Sequence, residues 1–315
     1  MLLSVVIPVY NNPADLGRCL SSLLVPQVCD RVQCVVINDG SDELYEEEFR
    51  KVVSPYGPNV VYSRQSHGGA ASARNNGIDL ACGRFVWFVD ADDKVCIPQY
   101  ERLLILLDSL PDDINLFHTG PMLHQSEKDC SCSETNYSIV TPADILAPKT
   151  ACLDHTTYLV SRDLLTGNPE LRYPDAHRLL EDSVFVLRLL EVSSAIAVNT
   201  DCRPYVRCGD NHSLTSGPWD RPKCEAFMPD IYSFFDSLVD FESRHHDFPH
   251  LHDLYRRYCY LYVRVLAVKG CPWSLLLPFR NRLIDDGYVP STVKEKMVFC
   301  KPLLFLLSNL CRLLR

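Results

Sequence analysis

The 315-residue sequence has no uninterrupted apolar run approaching the ~18 residues that a bilayer-crossing helix needs, so a membrane span is not expected. It also lacks a basic, signal-like start. Met1-Leu2-Leu3-Ser4-Val5-Val6-Ile7-Pro8 runs directly into what reads as a first core strand, and a cytoplasmic setting is the expectation. Internal repeats and low-complexity tracts are absent. Positive charge is scarce: 31 Lys+Arg stand against 40 Asp+Glu, a formal -9, which offers nucleic acid no general attraction. The deficit is uneven, because residues 255–315 hold 11 Lys+Arg and 3 Asp+Glu, or +8, and residues 1–254 hold 20 and 37, or -17. Cysteine is abundant, yet the 15 residues are odd in number and spread along a long chain. They read as reduced core fillers rather than a disulfide framework. The close pair Cys130-Ser131-Cys132 has no second pair at matching spacing, which argues against a zinc knuckle.

What is present is an alternation of short apolar runs and helical stripes. Leu3–Val9 reads as a strand, and Asn12 with Pro13 opens a helix whose apolar positions Leu16, Cys19, Leu20, Leu23 and Leu24 share one face. Val32–Ile37 is a second strand, Glu43–Val53 an acidic helix and Val60–Tyr62 a short third strand. Gly68-Gly69-Ala70-Ala71 permits a tight entry into a closely packed helix that reaches Ala81, with Gly83 ending it. Phe85-Val86-Trp87-Phe88-Val89 is an apolar run suited to a strand buried on both faces. This order predicts an α/β fold with a mostly parallel sheet covered on both sides. Further on, Pro98–Ser109 reads as a helix, Ile114–Thr119 and Thr156–Val160 as strands, and His177–Leu190 as a segment with an acidic pair at the start of an apolar helix. Ala195–Val198 and Cys202–Val206 are expected to form an antiparallel edge of the main sheet. Past a boundary near Gly217 the composition becomes helical, with runs at Cys224–Arg244 and Leu251–Val268. The leucine-rich, basic end from Leu275 is expected either to lie in an anionic membrane interface or to pack on protein.

The chemistry concentrates where the Phe85–Val89 run stops. Asp90, Asp92 and Asp93 follow at once, and open α/β sheets present ligand sites at the C-terminal ends of their strands. Carboxylates so close together repel and call for a cation. Their hard oxygens suit Mg2+ or Mn2+. His245, His246 and His250, set among Asp and Pro, read as a surface loop rather than a metal site.

Four segments together resemble family 2 glycosyltransferases, inverting enzymes of the GT-A fold that use nucleotide-sugars. They are Ser4-Val5-Val6-Ile7-Pro8-Val9-Tyr10-Asn11, Val35-Val36-Ile37-Asn38-Asp39-Gly40-Ser41, Gly68–Gly77 and Gly83–Asp93, in order over roughly Leu2–Leu110. Leu180-Glu181-Asp182 is a further match. The resemblance implies a GT-A domain whose nucleotide-sugar half is 1–115 and whose acceptor half is 116–217, followed by a helical region at 218–315. It implies that Pro8, Val9 and Tyr10 line a base pocket, and that Asp39 accepts from the base, with a lean to uracil. Asn38 stands where the family usually has aspartate. Arg74 would lie near the diphosphate. Asp90 and Asp92 match a DXD-like metal motif served by Mn2+ or Mg2+, with Asp90 also near the ribose. Asp182 would be the general base and Glu181 its helper. In Arg207–Thr215, His212 and Ser213 would reach phosphate or metal. The implied partners are a nucleotide-sugar donor and a glycan or lipid-linked glycan acceptor. The implied location is cytoplasmic or peripheral on the inner face of the plasma membrane, in bacterial surface polysaccharide assembly, with an oligomer left open. Two other readings stay in play: an inactive GT-A scaffold, and a nucleotidyltransferase. The second would ordinarily carry a Gly-rich basic loop after the first strand, which Tyr10-Asn11-Asn12-Pro13 lacks.

Overall fold

The structure is a computed structural model that describes residues 1–124, 136–147, 152–175, 177–208, 217, 219–246, 248, 251–305 and 307. The chain divides into two compact units: Met1–Ile145 with Cys152–Gly209, and Leu146–Ala151 with Asp210–Arg315.

In the first unit the elements follow as β1 (Leu3–Val9), α1 (Pro13–Leu23), β2 (Val32–Asp39), α2 (Glu46–Val53), β3 (Val60–Gln65), α3 (Gly69–Leu80), β4 (Phe85–Phe88), β5 (Lys94–Val95) and α4 (Ile97–Ser109). Next come β6 (Leu116–Thr119), β7 (Leu123–His124), β8 (Ser138–Val140), α5 (Pro142–Ile145), β9 (Tyr158–Ser161), α6 (Arg162–Gly167), α7 (Glu181–Val192), β10 (Ile196–Asn199) and β11 (Tyr205–Arg207). The large sheet has the order β3-β2-β1-β4-β9-β6-β10-β8, and a small one has β5-β11-β7. β3, β2, β1 and β4 run parallel, which brings the ends of β1, β2 and β4 to the same edge. β9 then inserts antiparallel between β4 and β6. This is an α/β fold of the GT-A kind, with a mostly parallel sheet between helices.

The local reasons are those of pattern and packing. Every residue of β2 and β4 is buried, as expected for strands covered on both faces. In α1 the stripe Leu16, Cys19, Leu20 and Leu23 is buried, and the Asn12 side chain caps the helix by accepting from the Asp15 N–H. Helix α3 approaches β1 closely because Gly77 has no side chain: a Cβ there would lie 2.2 Å from Val6 Cγ1. The expected acidic helix at Glu43–Val53 begins instead as a 3-10 turn, Glu43–Tyr45, ahead of α2.

The expected edge at Ala195–Val198 and Cys202–Val206 is arranged differently. β10 runs parallel to β6, the antiparallel edge strand is β8, and β11 leaves the large sheet to pair with β5 and β7. Strand direction is set by the connections, which a four-residue apolar run does not encode.

His118, on β6, is buried with neither ring nitrogen hydrogen-bonded, against the Tyr158 ring at 4.6 Å between centroids. Burial pushes its pKa down from 6.5 to about 4. The unfolded chain therefore takes up this proton first as pH falls, so stability present above pH 6.5 is lost progressively down to about 4. At about 1.4 kcal/mol per pH unit the loss is on the order of 3 kcal/mol. His118→Phe is expected to flatten this part of the stability profile in denaturant titrations at pH 7 and pH 4.5. An unchanged slope would remove His118 as its source.

The second unit contains α8 (Arg221–Arg244), α9 (Leu251–Val268), α10 (Trp273–Asp285) and α11 (Val293–Phe299). Phe235 on α8 packs against Tyr255 and Tyr262 of α9 and Phe279 of α10, with centroids 5.5–6.0 Å apart. Among the described residues no helix is long and apolar enough to cross a membrane, and the buried Cys19, Cys34, Cys202, Cys224, Cys259 and Cys271 form no disulfide.

Candidate active site

The strand ends meet the entry of α3. Asp39 closes β2, and its carboxylate accepts from the backbone N–H of Gly68 and Gly69 at 2.9 and 2.8 Å and from Gln65 Nε2 at 2.8 Å. An anion placed on two amides at a helix start is held by hydrogen bonds and by the helix dipole. Gly40 makes the turn possible: its φ is 71°, and a Cβ would come within 2.5 Å of the His67 nitrogen. Tyr10 is half-exposed and rests on His67, with ring centroids 4.6 Å apart, while Val9 is buried and Pro8 half-buried beneath it. Asn38 faces inward, donating to Tyr62 Oη at 2.8 Å and to Glu46 at 3.3 Å. An aspartate there would face the Glu46 carboxylate without a donor of its own, which accounts for the amide at this position.

At the end of β4, Asp90, Asp92 and Asp93 present carboxylate oxygens within 4.8 Å of one another. Asp93 is buried and anchored: Tyr205 Oη donates to it at 2.6 Å and the Cys208 N–H at 2.8 Å. Asp92 stands at the exposed rim, and desolvation with the charges of Asp90 and Asp93 raises its carboxyl to about 6. Burial tends to raise Asp90 as well, but the Arg74 guanidinium overcomes it and holds Asp90 below the usual carboxylate range. The all-oxygen donor set fits a hard divalent cation.

Arg74, on α3, is 5% exposed and bridges two elements far apart in sequence. One terminal nitrogen donates to Asp90 Oδ1 and the other to Glu181 Oε1, each at 2.9 Å, with the guanidinium 5.4 Å from the Tyr173 ring centre. A phosphate arriving here would meet a guanidinium already paired with carboxylates. The sequence reading placed Arg74 beside the diphosphate; the geometry makes it first a bracket between β4 and α7.

Glu181 and Asp182 begin α7, and the residue before them, Leu180, has a left-handed φ of 65°. A leucine held there is strained by about 1 kcal/mol or more, and the turn it makes leads directly into the two carboxylates. Asp182 Oδ1 accepts from the Ser183 N–H at 2.7 Å, and its Oδ2 lies 3.9 Å from His155 Nδ1. Burial, then the neighbouring charges of Glu181 and Asp154, push the Asp182 carboxyl well above the usual range. Phe88, Tyr173 and Phe185 pack as one aromatic group, Tyr173 and Phe185 stacked at 4.0 Å. A carboxyl whose proton affinity is raised in this way is, once ionised, a stronger base toward a hydroxyl brought against it.

The structure thus joins Asp90, Arg74 and Glu181, with Asp182 next to Glu181 in α7, and connects Tyr10 to Asp39 through His67 at the neighbouring strand ends. His212 and Ser213 lie outside the described residues, as do Cys130, Cys132 and His250. His245 packs between Phe241 and Phe248 and belongs to neither cluster that could hold a cation among the described residues. The sequence reading missed Asp154, His155, Tyr173 and Tyr205. None falls in a spacing that signals a site; the one local signal is the Asp154-His155 pair before an apolar strand.

Comparison with known proteins agrees with this geometry. The model of glycosyl transferase family 2 matches residues 4–121. The uncharacterized glycosyltransferase YibD of Escherichia coli is 40% identical over 114 residues, 36% of this chain and 32% of the relative. The minor teichoic acid biosynthesis protein GgaB of Bacillus subtilis is 31% identical over 276 residues, 87% of this chain and 29% of the relative. The chain therefore spans about a third or less of these relatives' length. Among solved structures, S. aureus TarS 1-349 with UDP-GlcNAc superposes with a TM-score of 0.59 at 19% identity, covering 95% of this chain and 90% of that one. The mannosyltransferase PcManGT of Pyrobaculum calidifontis with GDP-Man and Mn2+ gives 0.51 at 14%, covering 99% and 82%. At such identities the likeness concerns the fold. Through residues 4–121, the stretch that builds β1 to β6 and delivers Asp39, Arg74, Asp90, Asp92 and Asp93, the chain belongs to glycosyl transferase family 2.

Proposed function

We propose that this chain transfers a sugar, with inversion, from a UDP-linked nucleotide-sugar to a hydroxyl of a glycan or lipid-linked glycan. The observation that supports the reading is the Arg74 bridge, which ties Asp90 to Glu181, the neighbour of Asp182 in the first turn of α7. The base would sit over Tyr10 at the ends of β1 and β2, with Asp39 as an acceptor. Asp92 and Asp90 would hold Mn2+ or Mg2+, with Asp93 keeping the loop in shape. When bound, such an ion supplies positive charge for the departing diphosphate. Asp182 would take the acceptor's proton as its oxygen attacks the anomeric carbon. The bond from that carbon to the diphosphate oxygen breaks, and its electron pair leaves with the nucleotide. Glu181, fixed by Arg74, would orient Asp182 or the acceptor.

The setting proposed is the inner face of a bacterial plasma membrane, in surface polysaccharide assembly. On α11 and just beyond it, Val293, Met297, Leu303 and Phe305 are exposed beside Lys294, Lys296 and Lys301, a composition that suits an anionic lipid surface.

Thermal stabilisation tests the donor site. A ligand at a hundred times its Kd adds about 2.7 kcal/mol to the folded state, or on the order of 5 °C in a domain of this size. UDP-sugar with Mn2+ is expected to give such a rise, and Asp92→Asn to lose the Mn2+-dependent part. If no nucleoside diphosphate or nucleotide-sugar raises the Tm, the donor site is wrong and an inactive scaffold becomes the better reading.

A further inference from the structure

We propose that Asp154, His155 and Asp182 form a second cation site, distinct from the carboxylates at the end of β4. It would take a borderline transition ion such as Zn2+ and block the base when filled. Only the inhibitory consequence rests on the reading of Asp182 as the base. The three donor atoms lie within 4.8 Å of one another and come from two elements, the entry to β9 and the first turn of α7. A cluster alone would say little. His155 adds an independent observation: it is 4% exposed, yet neither ring nitrogen has a hydrogen-bond partner. Buried polar groups are almost always paired, and an orphaned imidazole calls for an explanation. Its Nδ1 points at Asp182 Oδ2 from 3.9 Å, too far for a hydrogen bond and near enough for both to reach a shared ion with a small contraction.

The surroundings hold the donors in place. Phe88 and Tyr173 set their rings edge-on to His155 at 6.0 and 5.7 Å, which fixes the imidazole plane. Asp154 Oδ1 accepts from the Thr156 N–H at 3.0 Å and from its hydroxyl at 2.7 Å, and Asp182 Oδ1 from the Ser183 N–H. Outer hydrogen bonds of this kind orient ligands at metal sites. Ligand type separates the two clusters. One imidazole with two carboxylates suits Zn2+ or Co2+, whereas Asp90, Asp92 and Asp93 offer oxygen alone and suit Mg2+ or Mn2+. An ion on Asp182 Oδ2 occupies the lone pair that would receive the acceptor's proton. Mn2+ at the strand ends and Zn2+ at this site are therefore opposed in effect.

The test uses the full chain stripped of metal and titrated with Co2+ alone, whose visible absorption reports coordination without turnover. The absorption is expected to be displaced by Zn2+, to persist in Asp92→Asn, and to need at least about tenfold more Co2+ in His155→Gln. Because His155 is buried, Asp154→Asn serves as a second variant and should weaken the site to a similar degree. Absorption unchanged in both variants, or lost in Asp92→Asn, would overturn the proposal. In turnover supported by Mn2+, Zn2+ should inhibit the wild type and require about tenfold more ion in Asp154→Asn. Cobalt binding that depends on His155, with no inhibition by Zn2+, would leave the site standing and remove Asp182 from the role of base.

Discussion

Asp182→Asn is expected to lower kcat by about 10²- to 10⁴-fold, the range that a positioned general base contributes. The asparagine keeps the shape of the side chain and its acceptor oxygen toward the Ser183 N–H, but it cannot take a proton. Stability should not fall. Asp182 sits among Glu181 and Asp154, whose charges already raise its carboxyl after burial, so a neutral amide relieves repulsion. Nucleotide binding should also survive, since Asp39, Asp90 and Asp92 are untouched. Steady-state kinetics with a matched thermal titration of UDP and Mn2+ separates these effects. A kcat loss below tenfold, with the fold and nucleotide binding intact, would show that another group takes the proton. Glu181→Gln provides a contrast: it weakens one arm of the Arg74 bridge and should disturb stability as well as rate.

Local pattern explains why so much of the donor half was legible. β1, β2, β4, α1 and α3 each carry a period or a continuous apolar run, and each lies within a residue or two of where that run places it. Asp90, Asp92 and Asp93 could be read as a cluster because they are neighbours in the chain as well as in space. The remainder depends on contacts that no local window holds. β5, β7 and β8 are two or three residues long, too short for a period; Cys202–Val206 reads as a strand, yet nothing local assigns β11 to the small sheet, and β9 turns antiparallel through its connections. Arg74 and Glu181 stand 107 positions apart, so their pairing was beyond spacing arguments. Glu181 and Asp182 came forward through resemblance to a family, whereas residue type alone favoured charge complementarity at a helix start. His155 had neither route: a single histidine before an apolar strand is ordinarily a core residue, and what sets it apart is an unpartnered ring beside the Asp154 and Asp182 carboxylates.

Arg74→Met should destabilise the protein by about 3–5 kcal/mol, the loss typical when one partner of a buried ion pair is removed. Methionine fills similar space and keeps contact with the Tyr173 ring, so the change isolates the charge and its hydrogen bonds. What remains is Asp90 and Glu181 facing each other with no cation between them. Water reaches them poorly, as Glu181 is 14% exposed and Asp90 30%. Arg74→Lys should fall between the two. An ammonium restores one charge but cannot fork toward both carboxylates at 2.9 Å as the planar guanidinium does. Denaturant unfolding of the three proteins gives the order wild type, Lys, Met. Turnover should fall further than stability predicts, because loss of the bridge frees the first turn of α7 and with it Asp182. Added Mn2+ should recover part of the stability of Arg74→Met, since a cation bound near Asp90 replaces some of the missing charge. If Arg74→Met unfolds at the same denaturant concentration as the wild type, the bridge does not hold β4 and α7 together, and the placement of Asp182 must come from the Leu180 turn and the aromatic group.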